Sequence, residues 1–449
     1  MKTKLLLSVF LFGIVLNSSG QWTYKNLSAP KDRIGAAVLG TKAYFGGGED
    51  EYLNPVSTVE IYDVEKEDWE TIPSFQVPRM HPAGIACGTK IIFAGGGDIN
   101  TAEVFDNVDI WDTVTKQWTY EYLTIPRIFL SVVCNGNKVL FAGGTNFQYD
   151  YDVVDIYDVS TGTWTSATLS VPRSCMAAAV TGDQAFFAGG YKSDQTVTDI
   201  VDIYNFTSNT WSTAVLSQAR AFLTAVALGD IVMFAGGTDA NNIASDRVDI
   251  YNRTTGLWTT DKLSVPRALF PEPVSAAVCS KAYFVGGGYM DLYSHVYSSD
   301  IKVIDIYDVN TGLWSVDSLT EVKIMYAVAG VDDHLIVAGG YNGNELSNVD
   351  IYIDPYCTPP IGIDPNEIDT HVFSIYPNPT SGIIHLELPD KNVQNHLLAT
   401  LYNMQGQVVF TQTLASSDRD LNLNLPAGMY LLKVVSDDAA YKKLITIQN

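Results

Sequence analysis

A Gly-Gly pair closing a short aromatic-rich apolar run recurs seven times, beginning at Gly47, Gly95, Gly143, Gly189, Gly236, Gly286 and Gly339. An acidic–Ile–aromatic triplet recurs as often, in step with it. Its acidic members are Glu60, Asp109, Asp155, Asp202, Asp249, Asp305 and Asp350. Nine residues after each of the first six stands a tryptophan: Trp69, Trp118, Trp164, Trp211, Trp258 and Trp314. A period of about 40 to 50 residues marks a repeat architecture, in which no unit can bury its apolar face alone.

Each period reads as four short strands. Strand a follows the Pro position, as in 173–180, and a Gly182-Asp183 turn leads to strand b, which ends at the Gly-Gly pair. A polar loop leads to strand c, and the Asp158-to-Gly162 turn returns the chain into strand d at Trp164. Asp bonds its own backbone at a turn start and Gly accepts positive φ, so these positions are turn chemistry rather than calcium ligands. Four-stranded units repeated radially make a propeller. The seventh triplet lacks its tryptophan, and a spare one, Trp22, stands ahead of the first repeat. Residues 22–27 are therefore expected as the outer strand of a seventh blade whose other strands come from 323–354.

The Gly-Gly pairs, the strand-c aromatic and the strand-d Trp together resemble the kelch repeat over residues 22 to about 354. The resemblance implies a seven-bladed β-propeller with a central channel, in an all-β chain. It implies no single function, because kelch propellers include binding modules, sugar-processing enzymes and a copper oxidase.

The flanks carry addresses. Lys2 and Lys4 precede an apolar run from Leu5 to Leu16, and Ser18 and Gly20 place small residues before Gln21. Residues 1–20 read as a secretory signal peptide, and no cysteine follows to take a lipid. Residues 355–372 hold Pro355, Pro359, Pro360 and Pro365 and read as a linker. Beyond it, 373–449 shows short alternating strands of a small Ig-like β-sandwich. Its Tyr376-Pro377-Asn378-Pro379, Leu401-Tyr402-Asn403, Pro426-Ala427-Gly428 and Lys442-Lys443 resemble the type IX secretion C-terminal sorting domain of Bacteroidota. That resemblance implies a partner in the type IX machinery and a destination in the medium or on the cell surface.

Composition narrows the chemistry. The net charge is −23, or −25 without Lys2 and Lys4, which argues against nucleic-acid and anionic-membrane partners. No segment after the leader is apolar for long enough to span a bilayer. The five cysteines show no paired spacing. Cys87, Cys134, Cys175 and Cys279 read as small buried hydrophobes, and Cys357 falls in the linker. No zinc, nucleotide or nucleophile motif appears, so no catalytic residue, metal or cofactor is expected. Three of the six histidines (His371, His385 and His396) lie beyond the propeller. His334 falls on the opposite face from His81 and His295, which leaves no copper-oxidase set.

Two patterns stand out. The residue after the Pro position is basic in every repeat: Lys31, Arg79, Arg127, Arg173, Arg220, Arg267 and Lys323. These seven could form an anion funnel. The seven strand-c acids open on the same face, however, so structural ion pairing is the preferred expectation. The second pattern is a break in spacing. The sixth repeat is longer both between Pro266 and Gly286 and between Gly286 and Asp305, adding Phe270, Tyr289, Tyr293, His295 and Tyr297 on one face. Irregular loops on a rigid scaffold carry function. Arg33 resembles an arginine in the ligand pocket of some peptide-binding kelch propellers. A binding or adhesion module for a protein or glycan is the first expectation, and a carbohydrate-active enzyme at the channel mouth the second.

Overall fold

The structure, a computed structural model, describes residues 21–269, 274–290, 297–298, 301–354, 357 and, with short gaps, 374–447. The expected signal peptide and nearly all of the expected linker lie outside the described residues. The chain divides into two compact units at Cys357/Thr358. No described residue is helical, and no helix is long and apolar enough to cross a membrane.

Among the described residues, the first unit contains seven four-stranded antiparallel sheets. The third is representative: Ser131–Asn135, Lys138–Ala142, Val153–Asp158 and Thr163–Thr168 run in order from inside to outside. Its second strand is apolar at every position after Lys138. Val139, Leu140, Phe141 and Ala142 are all inaccessible to solvent, because a neighbouring blade covers each face of the strand. The strand-c aromatic and the strand-d Trp meet as a directly opposed cross-strand pair. Tyr157 and Trp164 have ring centroids 4.7 Å apart.

The seven innermost strands touch in a closed ring, in which Gly35–Leu39 of the first sheet contacts Ala327–Val331 of the seventh. The outer strand of the seventh sheet is Gln21–Asn26, antiparallel to Asn348–Ile353 with Trp22 opposite Tyr352. Apolar residues of the seventh and first sheets, including Ile336, Val349, Phe45 and Tyr62, share one core cluster.

The cysteine reading needs correction. Cys87 is disulfide-bonded to Cys134, and Cys279 to Cys357, each pair with Cα atoms 5.7 Å apart. Cys175 is in neither bridge. Cys87 and Cys134 are 47 residues apart, nearly one repeat, and radial stacking puts the ends of consecutive innermost strands side by side. Spacing along the chain hides that adjacency. Cys357 follows the last strand of the seventh sheet and is tied back to the sixth, where Asp354 also accepts from Lys281 Nζ (2.7 Å) and the Tyr283 hydroxyl (2.9 Å).

The second unit pairs two sheets over one core. Ser374–Tyr376, Ile383–Glu387 and Asp420–Asn422 form the first; Leu397–Asn403, Val408–Leu414, Gly428–Val435 and Ala440–Ile447 form the other. Ile384, Leu386 and Leu421 meet Leu401, Leu432 and Ile445 between them. The strands at 408–414, 420–422 and 440–447 lack strong alternation and escape a reading by pattern.

Candidate functional site

Each blade begins with a segment running from the outer strand of the blade before it to its own innermost strand. That segment carries the basic residue. In the fourth blade the Arg173 carbonyl accepts from the Gly144 N–H of the third blade at 3.0 Å. A Cβ on Gly143 would lie 2.4 Å from that same carbonyl, and φ is positive at both glycines. The Gly-Gly pair is therefore the contact where one blade receives the next. Gly340 donating to the Lys31 carbonyl (3.0 Å) repeats it between the seventh blade and the first.

The side chains of the same residues turn inward. Lys31–Glu60, Arg79–Asp109, Arg127–Asp155, Arg173–Asp202, Arg220–Asp249, Arg267–Asp305 and Lys323–Asp350 pair at 2.5–2.9 Å. Basic and acidic partners alike are buried. Arg173 also donates from Nη1 to the Val171 carbonyl (3.3 Å) and from Nη2 to the Phe187 carbonyl (3.1 Å). Each acid accepts a second donor from the segment just after the preceding blade's outer strand, such as Ser170 N–H on Asp202 at 3.2 Å. Burial lowers the pKa of Arg173, Lys31 and Lys323, and the facing carboxylate opposes that shift. These heads are committed to carboxylates in the interior, not presented to a solvent-filled funnel.

Two residues further on, six of the seven blades carry a residue in one shared left-handed conformation, and these residues form a ring next to the innermost strands. Arg33, His81, Phe129, Cys175, Phe222 and Met325 all have φ between 53° and 58°. Their backbones link blade to blade: Arg33 N–H donates to the Met325 carbonyl, His81 N–H to Arg33, and Phe222 N–H to Cys175. The ring is divided chemically. His81 packs edge-on to Phe129 with centroids 4.9 Å apart, and Phe222 lies near Tyr191 at 6.4 Å, giving one aromatic side. On the other side the carboxyl oxygens of Asp32, Glu49 and Glu345 lie within 4.8 Å of one another. Arg33 Nη1 binds both Asp32 (2.8 Å) and Glu49, and Asn100 donates to Glu49 at 2.7 Å. Arg33 thus sits among carboxylates. The ring was missed in sequence because its members share a backbone conformation at one repeat position but no residue type.

Of the sixth-repeat insertions, Tyr289 is 47% exposed, and Tyr289–Met290 pairs with Tyr297–Ser298 in a short hairpin. The flanks of the two insertions join where Ala268 N–H donates to the Gly288 carbonyl at 2.8 Å. Phe270, Tyr293 and His295 lie outside the described residues.

A closed ring of four-stranded sheets, fastened at Gly-Gly pairs, defines a kelch-type propeller. Comparison bears this out: the kelch motif matches residues 32–76, 126–168 and 172–215, and the secretion system C-terminal sorting domain matches 374–448. The chain carries kelch motifs ahead of a type IX sorting domain, and that domain marks it for secretion or the cell surface. Alpha-scruin of Limulus polyphemus is 32% identical over 28% of this chain and 14% of its own length. The F-box/kelch-repeat protein SKIP20 of Arabidopsis thaliana is 29% identical over 21% of this chain and 23% of its own. N-(sulfonatooxy)prop-2-enimidothioate sulfolyase of Thlaspi arvense is 32% identical over 20% and 27%. The chain spans less than a third of the length of each. The solved structure of YjhT superposes with a TM-score of 0.51 at 18% identity, over 65% of this chain and 99% of that one, a likeness of fold alone.

Proposed function

We propose that this protein is a non-enzymatic binding or adhesion module that recognises a protein or glycan through the face carrying the b–c and d–a loops. The carrying observation is the set of large apolar side chains left in solvent there. Tyr52 is 75% exposed, Tyr149 57%, Tyr289 47% and Phe147 43%, all on b–c loops of a rigid scaffold. Exposed aromatics held on fixed loops give contact area at low entropic cost. The paired charges serve as blade fasteners in this reading. The sixth-blade hairpin with Tyr289 and Tyr297, the inserted Phe270, Tyr293 and His295, and Arg33 at the mouth form the ligand surface.

Residues 1–20 act as a cleaved export signal and 373–449 as the part that engages the type IX machinery, in a bacterium of the Bacteroidota. N-terminal sequencing of the exported protein should begin at Gln21. Glycan-array and cell-surface binding by the wild type, repeated with both sixth-blade loops cut to fifth-blade length, tests the binding reading. Undiminished binding after that deletion rejects the sixth blade as the site.

One observation favours a carbohydrate-active enzyme as the second reading. Asp32, Glu49 and Glu345 converge, with carboxylate oxygens within 4.8 Å of one another, and neighbouring carboxyl groups are the machinery of glycoside hydrolysis. Asp32 and Glu49 are buried and bound to Arg33, which suits a structural cluster better than an acid–base pair. Turnover of any glycan that binds decides between the two.

A further inference from the structure

The two faces of the propeller differ in charge far more than its overall acidity requires. Six b–c loops, at 47–58, 95–106, 143–152, 189–199, 236–246 and 339–347, carry thirteen carboxylates and one basic side chain, Lys192. The a–b and c–d turns on the opposite face carry six carboxylates and three basic side chains. Several acids on and around that face are paired: Lys90 with Asp112 at 2.7 Å, Arg253 with Asp230 at 2.5 Å, and Lys66 with Glu70 at 2.6 Å. On the loop face Lys192 meets Asp194 at 3.2 Å, and Lys262, at an outer-strand end, meets Asp246 at 3.0 Å. Asp32 and Glu49 share the guanidinium of Arg33, and a carboxylate oxygen of Glu345 lies within 4.8 Å of theirs. The basic ring beneath contributes no net positive field, because each head has its own carboxylate.

We infer that the loop face docks a cationic polypeptide segment, rich in lysine or arginine and interrupted by apolar residues. The inference rests on the binding reading above and adds the partner's chemistry. Same-sign carboxylates on a low-dielectric rim raise the local concentration of cations and speed their encounter. Their field alone would hold only mobile counterions. The exposed Tyr52 and Leu53 of the first blade, Phe147 and Tyr149 of the third and Ile243 of the fifth give an apolar second component, spread over three blades. A small cation cannot span three blades, and a polyanion is repelled by them. A polypeptide carrying both basic and apolar side chains satisfies charge and area together, with aromatic faces open to cation–π contact.

The test uses the full chain and two labelled peptides, a lysine-rich one with interspersed leucines and the same peptide with glutamate in place of lysine. Fluorescence anisotropy is read at low and physiological salt. The lysine peptide should bind at least tenfold more tightly than the glutamate peptide and weaken severalfold with salt. Glu51→Gln with Glu103→Gln, both exposed on loops, should weaken it at least threefold. Glu65→Gln with Glu67→Gln on the turn face should leave it unchanged. Tyr52→Ala with Tyr149→Ala should also weaken it, which bulk charge attraction alone would not produce. Equal losses from the two glutamate pairs, or equal binding of both peptides, overturns the inference. A glycan that binds and loses affinity on replacing Tyr52 and Tyr149, while the lysine peptide does not bind, refutes the cationic partner and leaves the loop-face reading standing. Absence of any ligand on this face rejects both.

Discussion

Trp22 lies with its ring centroid 5.1 Å from Tyr352, although the two residues stand at opposite ends of the propeller sequence. The same cross-strand pair closes the other six blades, with centroids 4.7–5.3 Å apart. The Trp22 indole also points its Nε1–H toward Asp317 on the outer strand of the sixth blade, at 3.4 Å. One aromatic side chain therefore fastens the first-made strand to the last and to the blade beside it.

Trp22→Ala should lower thermal stability about as much as Trp164→Ala, its counterpart within a continuous blade. Both rings are half-buried, so each loss should be roughly 3 kcal/mol, the low end for aromatic truncation. A Trp22→Ala protein that melts like wild type would mean the N-terminal strand does not hold the ring together.

Replacing Arg173 with Met should cost about 3–5 kcal/mol, because Asp202 stays buried without its cation. Adding Asp202→Leu should recover much of that loss, since removing both partners leaves no stranded charge. Urea unfolding of the two variants measures the difference. A double variant no better than the single one would show that the backbone bonds of Arg173, rather than the ion pair, carry its contribution.

The bridges Cys87–Cys134 and Cys279–Cys357 close sequence separations of 47 and 78 residues. Chain-entropy reasoning gives up to about 4.5 kcal/mol for loops of that size. Reductant should lower the melting temperature, and thiol titration in denaturant should find one thiol before reduction and five after. More than one thiol in unreduced protein would contradict the pairing.

Acid sensitivity should concentrate on the turn face. Asp112 is held to about 2, mainly by the hydrogen bond from Lys90 and then by the Val114 N–H. Lys66 and Lys42 hold Glu70 below the usual range. Carboxylates depressed in the folded state stabilise it above their unfolded pKa of about 4 and lose that contribution as pH falls toward 2. Lys90→Met should lower the melting temperature at pH 7, and the gap to wild type should vanish near pH 2. A constant gap would locate the effect of Lys90 elsewhere.

A chain ending just after Cys357 retains both bridges and every strand of the first unit, and should unfold in one cooperative transition. Produced in its own host with the leader intact, it should stop before the cell surface. Fractionation that finds it outside the cell would remove the sorting role from 373–449.

The repeat positions, read one after another, determined most of the architecture. Glycine pairs, strand-c aromatics and strand-d tryptophans each answer a local demand: positive φ, a cross-strand ring contact, a tight turn. Local demands leave a mark on the chain. The matching of basic and acidic residues was legible for the same reason, since it recurs at the same two repeat positions in each blade. Which residues meet across blades was not legible. Cys87 and Cys134 bond because radial stacking sets equivalent positions of successive repeats side by side. Arg33, Asp32, Glu49 and Glu345 converge because closing the ring brings the seventh blade against the first. The charge contrast between the two faces belongs with these. It appears only once folding has sorted loops from turns and neutralised the buried rings, because a surface potential is a sum over positions in space and not along the chain.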